Sequence, residues 1–286
     1  MGIFQNHLMA GAAAAASAGG ASFYDHQIEQ SIRLDRSTTS DGGANGSFLQ
    51  RASSAIPTAS NSKKFTFSTW IKKLSANLNF NQIILFAIVS GGGKNIYIDS
   101  STSSYYDRIY SGEWGSQSYV YPSQLRDTSG WYHLAFIWDT TQGTQANRQK
   151  VYINGTLQGV GDTTNNWSLN QDVWWNMATS STSYAYAIGG NAFGHSEGNS
   201  YGIYCYLAET IGIDGQDVSI SDLGETKNGV WIPKDPSGLT FGNNGFHLKY
   251  ENASDLGNDS SGNNNDFGLV NIGADHQVLD SPTFGS

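Results

Sequence analysis

The chain has 286 residues, of which 14% are charged and 13% aromatic, with 34 glycines and 5 prolines. Low charge with abundant rings and turn residues argues against a helical bundle and against disorder along the whole chain, and favours an all-β protein. Acidic residues outnumber basic ones, 24 to 15, and the net charge of −9 argues against nucleic acid and anionic membranes as partners.

The first 29 residues read as an arm. Gly11 to Gly20 is almost entirely Ala and Gly. The first Lys or Arg is Arg33, and alanine makes a weak apolar core, so a signal peptide is not expected. The stretch is also too weakly apolar for a membrane span. Ile3, Phe4, Leu8 and Met9 precede this small-residue run. They fit either a flexible tail or an anchor that orders by docking into another subunit of a large assembly.

The body, residues 30–270, reads as a succession of strands. Gln30–Asp35 and Ser47–Gln50 come first. Phe65–Lys72 then alternates, with Phe65, Phe67, Thr69 and Ile71 on one face and Thr66, Ser68, Trp70 and Lys72 on the other. The first face expects apolar cover and the second a mixed surface. Gln82–Val89 is apolar on both faces, as inside a sandwich. Gly91-Gly92-Gly93 follows it without the Lys-Ser/Thr or helix of a phosphate loop, and reads as a hairpin turn into Asn95–Ile98.

Arg108–Tyr110 and Tyr119–Tyr121 flank a turn at Gly112–Gly115. Trp131–Asp139 is a long apolar strand. Lys150–Leu157 is broken by Asn154-Gly155, the strongest short hairpin signal. Tyr184–Gly189 and Tyr204–Asp214 resume the strand pattern, Ser219–Gly224 forms a helical turn, and Gly245–Tyr250 is a late strand. The lone cysteine, Cys205, allows no intrachain disulfide and reads as a small buried apolar residue. Residues 271–286 read as a C-terminal tail. Strands at this spacing predict a β-sandwich.

The segments Phe65–Lys72, Trp131–Asp139, Lys150–Thr156 and Tyr206–Asp214 resemble, in that order, laminin-G-like, concanavalin A-like lectin domains. The resemblance runs from about Ser31 to Phe267 and implies a jelly-roll sandwich with an extended N-terminal arm. One piece is out of place. Asp255–Asp266 resembles a motif found near the start of such domains, which implies either a permuted sandwich or the beginning of a second domain. Together with Gly212-Ile213-Asp214-Gly215-Gln216, Trp231-Ile232-Pro233-Lys234 and the alanine-rich arm, the series resembles proteins of marine bacteriophage virions. That resemblance implies a structural component of the virion surface, whether appendage, fibre or decoration. Its partners would be other virion proteins met through the arm, with self-association, trimeric for instance, and host glycans as further expectations. A secreted carbohydrate-binding module and a capsid decoration protein without a ligand are the alternatives.

No enzyme activity is expected. Glycosidases of this fold carry Glu-x-Asp-x-(x)-Glu on one strand, which aims two carboxylates into one cleft. Here Glu209 and Asp214 are too far apart in sequence and alternate to opposite faces. The candidate glycan contacts are loop aromatics and an amide: Trp114, Tyr119 and Tyr121 around one turn, and Trp167, Trp174, Trp175 and Asn176 around another. Sugars stack their C–H faces on such rings, while amides read the hydroxyls; core filling is the competing role for the same rings. Asp255, Asp259, Asn263 and Asp266 offer oxygens for calcium, the one cofactor the sequence raises, although an Asx-turn loop accounts for the same residues. His133 reads as a packed residue rather than a ligand.

Overall fold

The computed structural model describes residues 23–35, 46–75, 81–89, 92–99, 107–113, 117–159, 162–163, 167–176, 184–190, 202–216 and 218–284. In chain order the strands are β1 (Ser31–Leu34), β2 (Phe48–Ala52), β3 (Lys64–Lys73), β4 (Gln82–Val89), β5 (Gly92–Asp99), β6 (Arg108–Glu113), β7 (Gln117–Gln124), β8 (Tyr132–Asp139) and β9 (Gln149–Ile153). They continue with β10 (Thr156–Leu157), β11 (Asp162–Thr163), β12 (Tyr184–Ile188), β13 (Cys205–Asp214), β14 (Gly224–Lys227), β15 (Val230–Pro233), β16 (Phe246–Leu248), β17 (Gly268–Val270) and β18 (Gln277–Val278). A helical turn, Ile220–Leu223, is capped by the Ser219 side chain. Among the described residues no helix is long and apolar enough to cross a membrane.

Two antiparallel eight-stranded sheets make a sandwich. The first runs β10-β9-β8-β3-β13-β1-β18, with β16 also paired to β13; the second runs β11-β7-β6-β5-β4-β12-β2-β17. This is the all-β jelly-roll type expected from the sequence. β3 lies at the middle of the first sheet, paired with β8 on one side and β13 on the other. Phe65, Phe67 and Ile71 are fully buried between the sheets with Leu134, Phe136 and Trp138 of β8. Ile84 and Leu85 of β4, Ile96 and Ile98 of β5 and Ile109 of β6 meet them from the second sheet. Each such side chain contributes about 1.5–3 kcal/mol by leaving water.

Turn chemistry sets the register where it was expected to. Asn154 and Gly155 both have positive φ, 47° and 73°, and pair β9 with β10 in a tight hairpin. Val89 pairs with Gly92, so β4 and β5 form the predicted hairpin. Gly212 has a packing reason: a Cβ there would come within 2.4 Å of the Phe246 ring, which crosses β13 at that point.

The outer face of the first sheet differs from the mixed surface predicted for it. Thr66, Ser68 and Trp70 are buried. Residues 23–28 and the β14–β15 hairpin cover Trp70, His133 and Ala208, while Phe241 packs on Ile211 and Ile213. Outward apolar positions on both β3 and β13 drive this, since an uncovered sheet face of that composition would leave much apolar area in water.

Residues 23–29 and 271–284, on either side of the predicted sandwich, pack against it. Ile28 packs on Trp70, and the Thr283 hydroxyl bonds both its N–H (2.9 Å) and its C=O (3.0 Å). β18 pairs with β1, and Asp280 accepts from Lys72 Nζ at 2.7 Å and Trp131 Nε1 at 3.0 Å. The segment 255–266 belongs to the same sandwich: Asp259 bridges to Leu248, and Phe267 meets Phe246 edge-on at 5.0 Å within the core. It does not open a second domain.

Candidate functional site

At the end of β13 the chain needs a sharp turn, and Gly215 supplies it with φ +83°. Asp214, the last residue of the strand, is thereby left buried at one pole of the sandwich. Its carboxylate accepts from Ser60 N (2.6 Å), Asn61 N (3.4 Å), Asn244 N (3.1 Å) and Asn176 Nδ2 (2.5 Å). Asn176 also donates to the carbonyls of Asn61 and Lys64, each at 2.9 Å, and accepts from Asn244 Nδ2 at 3.4 Å. Three loops, around residues 58–63, 172–176 and 241–244, are thus gathered on one carboxylate.

Two of those loops wall a depression of about 600 Å³, lined by residues 58–63, Asp172 and Asn176. On its rim Asp172 accepts from Ser62 Oγ and Lys63 Nζ. The Lys63 hydrogen bond, and then that of Ser62, hold the Asp172 carboxyl below the usual carboxylate range. Both members of this pair are partly exposed. The depression therefore offers a fixed anion, a fixed cation and serine hydroxyls side by side, a surface suited to a molecule rich in hydroxyl groups.

The structure corrects three of the seven predicted glycan contacts. Tyr121, Trp167 and Trp175 are buried, none more than 4% exposed, and their ring faces cannot meet a sugar; the Asn176 amide is buried as well. Tyr121 Oη accepts from Gln149 Nε2 at 2.6 Å, and Trp167 Nε1 donates to Gln149 Oε1. Trp175 packs on Trp138 with ring centroids 5.8 Å apart. Large rings gain more from the interior than from a loop surface, and Gln149 satisfies the polar ends of Tyr121 and Trp167 there. Asn176 remains relevant as the side chain that fixes the wall. Trp114 lies outside the described residues. Tyr119 is in β7 and Trp174 in the turn Trp174–Asn176, but their side chains lie outside the described residues. Ile3, Phe4, Leu8 and Met9 lie outside them as well.

The Asp255–Asp266 segment is closed by its own side chains. Asp259 accepts from His247 N, Ser261 N, Ser261 Oγ and Asn265 N at 2.7–2.9 Å. Asp255 Oδ1 accepts from Gly257 N at 3.3 Å, and Asp266 Oδ1 from Asp259 N at 2.8 Å. Asn263 donates to the carbonyls of Gly242 and Gly245. These are the Asx-turn contacts weighed against calcium, and they turn Asp259 towards backbone N–H groups. Among the described residues no three His, Cys, Asp or Glu side chains are grouped to hold a metal ion.

One arrangement that sequence reading missed has hydrolase spacing. Ser68 Oγ lies 2.8 Å from His133 Nε2. Trp231 Nε1 lies 3.1 Å from His133 Nδ1. An indole N–H only donates, so Nδ1 accepts and the neutral ring carries its proton on Nε2, directed at Ser68. Burial lowers the His133 pKa to about 4. A ring that donates to the serine cannot also take its proton, so the pair ties β3, β8 and the β14–β15 hairpin together and is not a nucleophile with its base. Glu209 and Asp214 are likewise committed separately, Glu209 to His26 and Asp214 to the polar loops.

The model of the concanavalin A-like lectin/glucanase superfamily, in its laminin G form, matches residues 43–194. The chain belongs to that superfamily. Solved structures similar to this superfamily member include a Bacteroides ovatus protein provisionally described as carbohydrate binding, with 15% identity and a TM-score of 0.44. The match covers 72% of this chain and 55% of that one, so the chain spans about half the length of that protein. A heptameric pentraxin from Limulus polyphemus gives 14% identity and a TM-score of 0.42, over 68% of this chain and 81% of that one. Domains LG4–5 of the mouse laminin α1 chain give 9% and 0.37, over 68% and 44%. Likeness at this level is one of fold alone. No curated protein is similar enough in sequence to match.

Proposed function

We propose that this lectin-superfamily domain is a non-catalytic glycan-binding module, carried on a larger assembly by its N-terminal arm, with the polar depression as its sugar site. The observation that carries the reading is the rigid wall built on Asp214 and Asn176, which presents the Asp172–Lys63 pair and the Ser60 and Ser62 hydroxyls to one concave space. A carboxylate accepts from, and an ammonium beside it donates to, neighbouring hydroxyls of one sugar ring. The net charge of −9 disfavours polyanionic glycans and favours neutral ones. The assembly we assign is a bacteriophage virion, on the motif series and the apolar residues ahead of the alanine run.

Two measurements test this. On an array of neutral and acidic glycans the full chain should bind a neutral class. Asp172→Ala and Lys63→Ala should each weaken that binding at least about tenfold, the loss of one charge-assisted hydrogen bond. Their melting temperatures should stay close to wild type, because a partly exposed pair adds only about 0–1 kcal/mol. Absence of binding by the wild type, or equal binding by Asp172→Ala, would remove the depression from consideration. Separately, deleting residues 1–22 should leave folding and sugar binding intact while abolishing incorporation into particles; normal incorporation would refute the anchor.

A further inference from the structure

Glu209 sits where a carboxylate is costly. It interrupts β13 at the irregularity between Ala208 and Ile211, with φ +44°, a conformation uncommon for a residue with a side chain. It is also buried, at 6% exposure. Its Oε1 accepts from His26 Nε2 at 2.7 Å and lies 3.4 Å from His247 Nε2. A strained, buried anion in mid-strand has a reason to be there only if its partner matters.

That partner lies on the segment of residues 23–28, which runs over the outer face of the first sheet. Ile28 packs on Trp70 and Ala208. Asp25 meets Lys227 Nζ at 3.0 Å, and the same ammonium lies 5.8 Å from the centre of the Phe23 ring. Those outer contacts are solvent-exposed and weak. The His26–Glu209 contact is a sheltered polar tie between this segment and the sheet, beside the apolar packing of Ile28.

We propose that residues 23–28 form a proton-dependent latch, held on the sheet while His26 is protonated and Glu209 ionised, and released when either condition fails. The charged and titratable groups around the pair are His247 on β16, His133 on β8, Asp235 after β15 and Lys249 after β16. Burial opposes a charged His26, but the hydrogen bond and charge of Glu209 outweigh it and raise the pKa above 6.5; Asp235 and Lys249 act in opposite directions. Burial likewise opposes a charged Glu209, and the hydrogen bonds and charges of His247 and His26 outweigh that, lowering its pKa below 4.5. His133 stays neutral above about 4.

A raised histidine pKa adds hold that is complete below 6.5 and is lost as pH rises through the folded value. A lowered carboxyl pKa adds hold that is complete above 4.5 and is lost as pH falls through the folded value. The latch is therefore tightest between pH 4.5 and 6.5 and loosens as the medium becomes alkaline. Residues 1–22 continue directly from this segment, so its release frees the root of the arm and uncovers the part of the sheet face around Trp70 that the segment shares with Trp231 of the β14–β15 hairpin.

Hydrogen exchange of the full chain, corrected for intrinsic rates and followed from pH 4.5 to 9, reads the latch in a peptide spanning residues 23–30 against one from β8. Protection of the first should fall through the His26 titration, by about tenfold for each unit its pKa stands above 6.5, while the β8 peptide keeps its protection. His26→Gln, which keeps a donor and loses the charge, should abolish the step; His247→Gln should retain it. A step that survives in His26→Gln, or an NMR titration of His26 at or below 6.5 in the wild type, would overturn the latch.

Discussion

Asp214→Ala is expected to lower stability by about 3–5 kcal/mol and to abolish sugar binding together. The carboxylate accepts three backbone N–H groups and one side-chain amide at a buried pole. Alanine strands those donors away from water, and leaving one such donor unsatisfied costs about 1–3 kcal/mol. Relaxation of the loops around residues 58–63 and 241–244 limits the sum. Asp214→Asn retains one carbonyl acceptor and should lose roughly half as much. Denaturant unfolding gives the stability change, and titration with the glycan found on the array gives the binding. A near-neutral Asp214→Ala would mean that the loops hold themselves and that the depression has no common wall.

Lys73→Ala should cost about 3–5 kcal/mol for a different reason. Lys73 ends β3 at the opposite pole, is fully buried, and donates to the Asp107 carboxylate and to the Leu125 carbonyl at 3.0 Å. Burial lowers the Lys73 pKa despite the raising effect of Asp107. The pair links β3 of the first sheet to the start of β6 in the second, so removing the ammonium leaves Asp107 as an uncompensated buried charge. Lys73→Met combined with Asp107→Asn should recover most of the loss, since the charge goes with its partner and Asn tolerates the φ of +60° at that position. Equilibrium unfolding of the two single variants and the double variant measures the coupling. A single-variant loss under about 1 kcal/mol would place the pair in water rather than between the sheets.

Much of the fold was legible because it follows from local rules. The alternation in Phe65–Lys72 identified the inward face of β3, and Asn154-Gly155 identified the β9–β10 hairpin. Asn228-Gly229 carries the same signal, with φ of 51° and 82°, and marks the β14–β15 hairpin that the strand reading passed over. The candidate site was less legible. Proximity to turns suggested exposure for Tyr121, Trp167 and Trp175, yet Tyr121 lies in β7 and points inward, the loops carrying Trp167 and Trp175 turn inward, and no local pattern separates a ring that stacks on sugar from one that stacks on Trp138. Glu209 and His26 are separated by 183 positions, and Lys73 and Asp107 by 34, so neither contact has a periodicity to reveal it.

The sequence by itself determined the class of structure, two layers of antiparallel strands, because side-chain alternation and glycine-bearing turns act over a few neighbouring residues. Only the tertiary structure decided which carboxylates meet which donors. It closed Asp259 onto its own loop, gathered three loops on Asp214, and buried Glu209 beneath the segment of residues 23–28. The physical reason is that desolvation and partner geometry set the role of a charged group, and both arise from chain segments far apart in sequence.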